Sequence, residues 1–408
     1  MYQSNQHIDL ENDKKISLFV VFYFIASAAN ATMKVTLPIS GVMSGRLSLI
    51  WGGLILFFMF RAFLPVYHRS SKILIGSYSI FVFAYLVSIA MCIDRAEPIS
   101  VILKSSAFLT LVWWIPIGVY SCSVKDKAIL YRYFVTASYI ISTILFLNLL
   151  FHVSDEVDGS VEYDMFFGFA LITPTLIHIN EFFRKKKKGV LFLAILEILA
   201  LILYANRAVL VPIAFFLFYH YMFDGGKNGV ITAFCFLIAS LLILIFRDSF
   251  ISLLVSLFSR LGLQSRTLTL MIEGRISDSA GRGDFWRYCL QMVQDKPLFG
   301  WGLGGELYTL GKNFSGPYND LSLASAHNGV LQLVVELGLL VGSIVTFIMI
   351  HPILHLKKVK DVFTHDLILV FFSSYGVTRL ISADGFLTAP QVAIYIYLFY
   401  HYKQGVKE

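Results

Sequence analysis

The chain has 408 residues, of which 57% are hydrophobic and only 14% charged, with a mean hydropathy of +0.73. So little charge cannot cover the surface of a soluble domain of this length, which excludes an ordinary soluble enzyme and points to a membrane protein. The formal net charge of +7 is no nucleic-acid footprint, because the basic residues sit in short clusters between apolar runs, where they set membrane orientation.

Residues 1–15 are polar, and the apolar run behind them has no cleavage-site pattern, so it reads as a span rather than a secretory signal. The spanning-length criterion gives about twelve transmembrane helices. They are expected over 16–36, 47–65, 73–93, 101–122, 129–152, 164–183, 189–205, 207–223, 229–247, 329–352, 365–381 and 388–402. Lys14-Lys15, Arg69 with Lys72, Lys125 with Lys127, Arg184 through Lys188, Lys227, Lys357-Lys358-Lys360 and Lys403 fall on alternate connections. Those connections are expected in the cytoplasm, together with both termini. The four cysteines, Cys92, Cys122, Cys235 and Cys289, have no metal-site or disulfide spacing.

Three regions follow: an N-terminal membrane bundle over 1–247, an outward loop over 248–328, and C-terminal transmembrane helices with a cytoplasmic tail over 329–408. The loop opens with a polar-striped apolar stretch from Phe250 to Leu261, expected to lie in the membrane interface. A second helix is expected from Asp284 to Gln294, with Phe285, Trp286, Cys289, Met292 and Val293 on one face. Pro297 and the glycines Gly300, Gly302, Gly304 and Gly305 then make a tight turn. Its Gly-x-Gly string follows no strand and opens no βαβ unit, so a dinucleotide site is excluded.

The chemistry-bearing pattern runs Gly281-Arg282, Trp286, Pro297, Gly300-Trp301-Gly302-Leu303-Gly304, Ala326-His327-Asn328, Glu336, Gly338 and Gly342, with Asn206-Arg207-Ala208 upstream at the outer end of two spans. In this order it resembles the shared C-terminal domain of the O-antigen polymerase and O-antigen ligase superfamily. The resemblance covers roughly residues 190–345 and departs from the family at Tyr204-Ala205-Asn206-Arg207, where Ser-Gly-Ser-Arg is frequent. It implies an all-α polytopic fold similar to GT-C glycosyltransferases, and a lipid-linked oligosaccharide donor and acceptor carried on undecaprenyl diphosphate. A chain-length regulator is implied as a further protein partner, the bilayer as the setting, and no nucleic acid.

That chemistry needs a cation for the departing diphosphate and a base for the acceptor hydroxyl. Arginine stays protonated and offers a fork to phosphate oxygens; histidine titrates near neutrality. Arg207, Arg282 and His327 are therefore the expected catalytic residues, with Arg266, Arg275, Arg379, Asn328 and Trp286 around the substrate. The plainer alternatives are a snorkelling anchor for Arg207, a solvated loop residue for Arg282, and an interfacial structural residue for His327. Arg287 is expected to face solvent. Glu336 lies nine residues beyond His327, roughly 13 Å along a helix, too far to orient the imidazole, and is expected to pair inside the bundle. Glu197, mid-span, is a weaker candidate. No cofactor and no metal are expected, because no acidic or histidine cluster has ligand spacing.

The leading reading is a surface-polysaccharide polymerase, favoured by Ser265-Arg266-Thr267 and Ser279-Ala280-Gly281-Arg282. An O-antigen ligase, which accepts on lipid A–core, is the first alternative. A lipid-linked oligosaccharide flippase is the second, disfavoured because the halves show no repeat and the motifs cluster on one face.

Overall fold

A computed structural model describes residues 2–36, 41–91, 107–155, 165–204, 210–224, 282–306, 309–310, 326–381, 385–387 and 389–405, with isolated positions between 229 and 260. The described residues are helical, with turns between, and include no strand. Two compact units organise the chain, and each gathers non-consecutive segments. One holds Met1–Leu64 and Asp126–Ser277; the other holds Pro65–Lys125 and Asp278–Glu408.

Among the described residues, three helices are long and apolar enough to cross a membrane: Ser48–Ala90, Lys127–Leu149 and Gly329–Leu354. The first lies within the 51-residue helix Gly41–Met91, where the sequence suggests two spans divided by a short basic connection. The connection is reduced to one non-helical residue, Ser70, at φ −139° and ψ 26°. Pro65 lies inside the helix five positions earlier, and its missing N–H weakens the helical ladder there. Ser123 then holds the break. Its Oγ is hydrogen-bonded to Ser70 Oγ at 2.7 Å, and its carbonyl accepts from Arg69 at 3.2 Å.

In the first unit, Tyr2–Thr36 packs along Lys127–Asp155, which packs on Met165–Lys185 and through it on Lys188–Tyr204. The polar leader is helical from Tyr2. Its buried Asp13 accepts the Asp126 N–H at 2.9 Å, just before the Lys127–Asp155 helix begins. Glu197 finds a partner inside this unit: its carboxylate accepts from Ser142 and meets His178 Nδ1 at 2.9 and 3.0 Å, with Glu197 and His178 fully buried. A buried carboxylate persists only when donors surround it. The span expected over 229–247 and the interfacial stretch 250–261 lie almost wholly outside the described residues.

In the second unit, Pro390–Gly405 packs against Ile115–Ser123, Val362–Phe371 and Gly329–Leu354. Gly118 makes the first contact possible: a Cβ there would fall 2.2 Å from the Tyr397 ring. Trp114 Nε1–H donates to the Phe386 carbonyl and Thr110 Oγ1–H to that of Leu387, both at 2.9 Å, so the short 385–387 segment is tied down. Cys122 and Cys289 are buried thiols.

Candidate functional site

The helix Arg282–Asp295 starts two residues earlier than its apolar pattern suggests and ends just short of Pro297. Phe285, Cys289 and Met292 recur at helical spacing and are buried against Leu310, Ala326 and Val335, with Val293, Trp301 and Leu331 at the margin. Arg287 is exposed on the other face. Trp286 stands at the edge: 42% exposed, its indole N–H donates to the Ala326 carbonyl at 2.7 Å. One turn above it, Arg282 is the first helical residue.

Ala326 is held a second time, because its N–H donates to Glu306 Oε1 at 2.7 Å. His327 follows at φ 48°, in the left-handed region that costs a non-glycine residue about 1 kcal/mol or more. The half-buried Asn328 then caps the helix Gly329–Leu354, its side-chain oxygen accepting from Leu331 N–H at 3.0 Å. The sharp bend at His327 lets the chain pass from Ala326 directly into a capped helix.

That helix breaks at Gly338, at φ 76° and ψ 171°. A break frees backbone carbonyls that must be satisfied elsewhere when buried. The glycine turn supplies the donors: Trp301 N–H to Val335 O at 3.0 Å and Gly302 N–H to Glu336 O at 2.8 Å. In return Leu339 N–H reaches Pro297 O at 2.7 Å. The approach requires bare backbone, since a Cβ on Gly300 would lie 2.5 Å from the Glu336 carbonyl oxygen. Gly300, Gly302 and Gly304 all have positive φ, which glycine adopts readily. The buried Glu336 carboxylate accepts Gly304 N–H at 2.9 Å and Gln332 Nε2 at 3.3 Å. The carboxylate is thus engaged both by the glycine turn and by its own helix. Ser88 Oγ accepts Leu303 N–H at 2.9 Å, anchoring the turn to the Gly41–Met91 helix.

Arg379, partly exposed in the helix Val377–Ile381, reaches the same end of the assembly. Its carbonyl oxygen would lie 2.9 Å from a Cβ on Gly329, whose other near neighbour is the Phe386 ring. Gln332 Oε1 accepts Gly385 N–H at 2.6 Å. Trp286, His327, Asn328 and the Arg379 backbone therefore gather around the start of Gly329–Leu354. Arg207, Arg266 and Arg275 lie outside the described residues, as does the Arg282 side chain.

Beside the turn is an apolar cavity of about 580 Å³, lined among others by Phe81, Trp114, Leu303, Val341, Met349 and Tyr397. Glu306, Ser88, Gln332 and Trp114 also hold this region together and are not marked by the sequence motifs. For Glu306 one clue existed, a lone carboxylate directly behind a glycine turn; the others carry no local pattern at all.

Residues 166–346 match the family described as O-Antigen ligase. No curated protein matches the chain.

Proposed function

We propose, on the match of residues 166–346 to the family described as O-Antigen ligase, that this membrane protein belongs to the O-antigen polymerase and ligase superfamily and is a surface-polysaccharide polymerase. It moves a glycan chain from undecaprenyl diphosphate to the non-reducing end of another lipid-linked repeat unit, at the periplasmic face of the inner membrane. In this reading about twelve helices span the bilayer with both termini in the cytoplasm, in a GT-C-like arrangement, and 248–328 forms the outward loop.

The reaction breaks the bond between the donor's anomeric carbon and the diphosphate oxygen. It forms a bond from that carbon to the acceptor hydroxyl oxygen. The diphosphate leaves with the bonding electrons, and the hydroxyl proton must go to a base. Arg282 and Arg207 receive the developing negative charge through forked hydrogen bonds, and the His327 imidazole takes the proton. Arg266, Arg275 and Arg379 add positive charge around the headgroup, while Trp286 and Asn328 border the sugar. No step in this scheme is routed through a metal.

The observation that carries the reading is the bond from Trp286 to the Ala326 carbonyl. It ties the helix that begins at Arg282 to the residue before His327, as a shared diphosphate-and-hydroxyl site requires. The apolar cavity beside Leu303 suits an isoprenoid tail. The O-Antigen ligase description of the matched family favours a second reading, in which the same donor is transferred to lipid A–core. Glycan profiles of a deletion strain separate the two. Loss of laddering with single repeats still on the core supports polymerase; loss of all attached glycan supports ligase. Unaltered glycan would overturn both.

A further inference from the structure

Glu306 has no exposed surface, and none of the steps above uses it. A carboxylate in such surroundings is retained where donors meet its oxygens. One donor is the Ala326 N–H, at 2.7 Å. The Ala326 carbonyl is meanwhile gripped by the Trp286 indole, also at 2.7 Å. Both backbone polar groups of one residue are thus engaged by side chains from separate segments, 20 and 40 positions away in the chain. The next residue is His327, in its left-handed bend. A backbone in that region persists where its surroundings over-determine it, and these two hydrogen bonds act on the immediately preceding residue.

Resting on the proposed function, we propose that Glu306 is a positioning residue: with Trp286 it clamps Ala326, and so sets the His327 imidazole against the acceptor hydroxyl at the Arg282 end of the site. The carboxylate acts as a hydrogen-bond acceptor toward backbone and does not touch the reacting atoms. Trp286 makes the clamp specific, because it rides on the Arg282–Asp295 helix. Any drift of that helix relative to residues 326–328 must break this bond.

The test uses the full chain, reconstituted in phospholipid vesicles with synthetic undecaprenyl-diphosphate repeat units. It compares Glu306→Ala, Glu306→Gln and Trp286→Phe with the unaltered protein. Displacing a reacting group by an ångström can cost about a hundredfold in rate, so Glu306→Ala should lose kcat on that order with the donor KM little changed. Glu306→Gln keeps an acceptor oxygen and should recover most of the rate. Trp286→Phe keeps a ring but removes the N–H, and should lose kcat as Glu306→Ala does. Amide hydrogen exchange gives a second readout: the Ala326 amide should exchange faster in Glu306→Ala and remain protected in Glu306→Gln. Unaltered kcat and slow exchange in Glu306→Ala would overturn the clamp. So would a Glu306→Gln protein as impaired as Glu306→Ala in both measurements. Should Glu306→Ala fail to fold, Trp286→Phe decides by the same split between kcat and KM. If the unaltered protein transfers no sugar, the functional reading fails, while the exchange comparison still decides whether Glu306 holds Ala326.

Discussion

Gly338 lies against the backbone of Leu298 so closely that a Cβ on Gly338 would fall 2.1 Å from the Leu298 carbonyl oxygen. With φ at 76°, Gly338→Ala meets both a steric and a conformational penalty. It should destabilise the protein by at least about 2 kcal/mol, seen as a lower thermal midpoint in detergent. Gly52→Ala is the control, because nothing lies within 4 Å of its would-be Cβ and alanine is the better helix former. Equal midpoints for the two variants would contradict the packing described.

Glu336 connects the glycine turn to the helix that carries the break. Glu336→Ala strands the buried Gly304 N–H and removes a partner of Gln332, at a cost of roughly 1–3 kcal/mol. The loss should be non-additive with Gln332→Ala, since the two share a contact. A double-mutant cycle of thermal midpoints with no coupling would separate the residues.

Some of this architecture is legible along the chain. The alternation of apolar runs marks membrane helices, and Phe285, Cys289 and Met292 announce the face of the helix after Arg282 that is buried. Pro297 and the glycines announce a turn. What the turn is for cannot be read locally. Its donors serve carbonyls freed at Gly338, some forty residues on, and only the tertiary fold brings them together. Glu306 is hidden for the same reason, because its partner is a backbone amide and backbone has no sequence signature. The Ser70 break is a third case. Basic residues at 69 and 72 read as a loop, yet hydrogen bonds to Ser123 let helix continue on either side of a single residue.

Asn328 tests the helix start beside His327. Asn328→Ala removes the side chain that accepts Leu331 N–H and should cost about 1 kcal/mol. Asn328→Asp retains the acceptor and should keep most of that stability. Transfer activity should fall further than stability in the alanine variant, because the cap adjoins the bend at His327. Matching losses in both measurements would limit Asn328 to a structural role.

In the other unit, Glu197 and His178 are fully buried together, with Ser142 on the same carboxylate. Glu197→Ala leaves His178 and Ser142 facing an apolar gap and should destabilise by about 3 kcal/mol or more, whereas replacing both Glu197 and His178 with leucine should recover much of the loss. Chemical or thermal unfolding of the two proteins in detergent checks the order. A double variant less stable than Glu197→Ala would show that the pair does more than satisfy itself.

In the proposed reaction, guanidinium and imidazole groups at one outward site exchange a lipid diphosphate for a sugar hydroxyl. Its most direct measurement is product formation from synthetic undecaprenyl-diphosphate repeat units by the purified protein in vesicles, with and without lipid A–core. Lengthening lipid-linked glycan is expected without lipid A–core, strongly diminished by Arg282→Lys, which offers a point charge in place of a fork, and lost in Arg282→Ala and His327→Ala at normal protein levels. Undiminished product from those two alanine variants would contradict it.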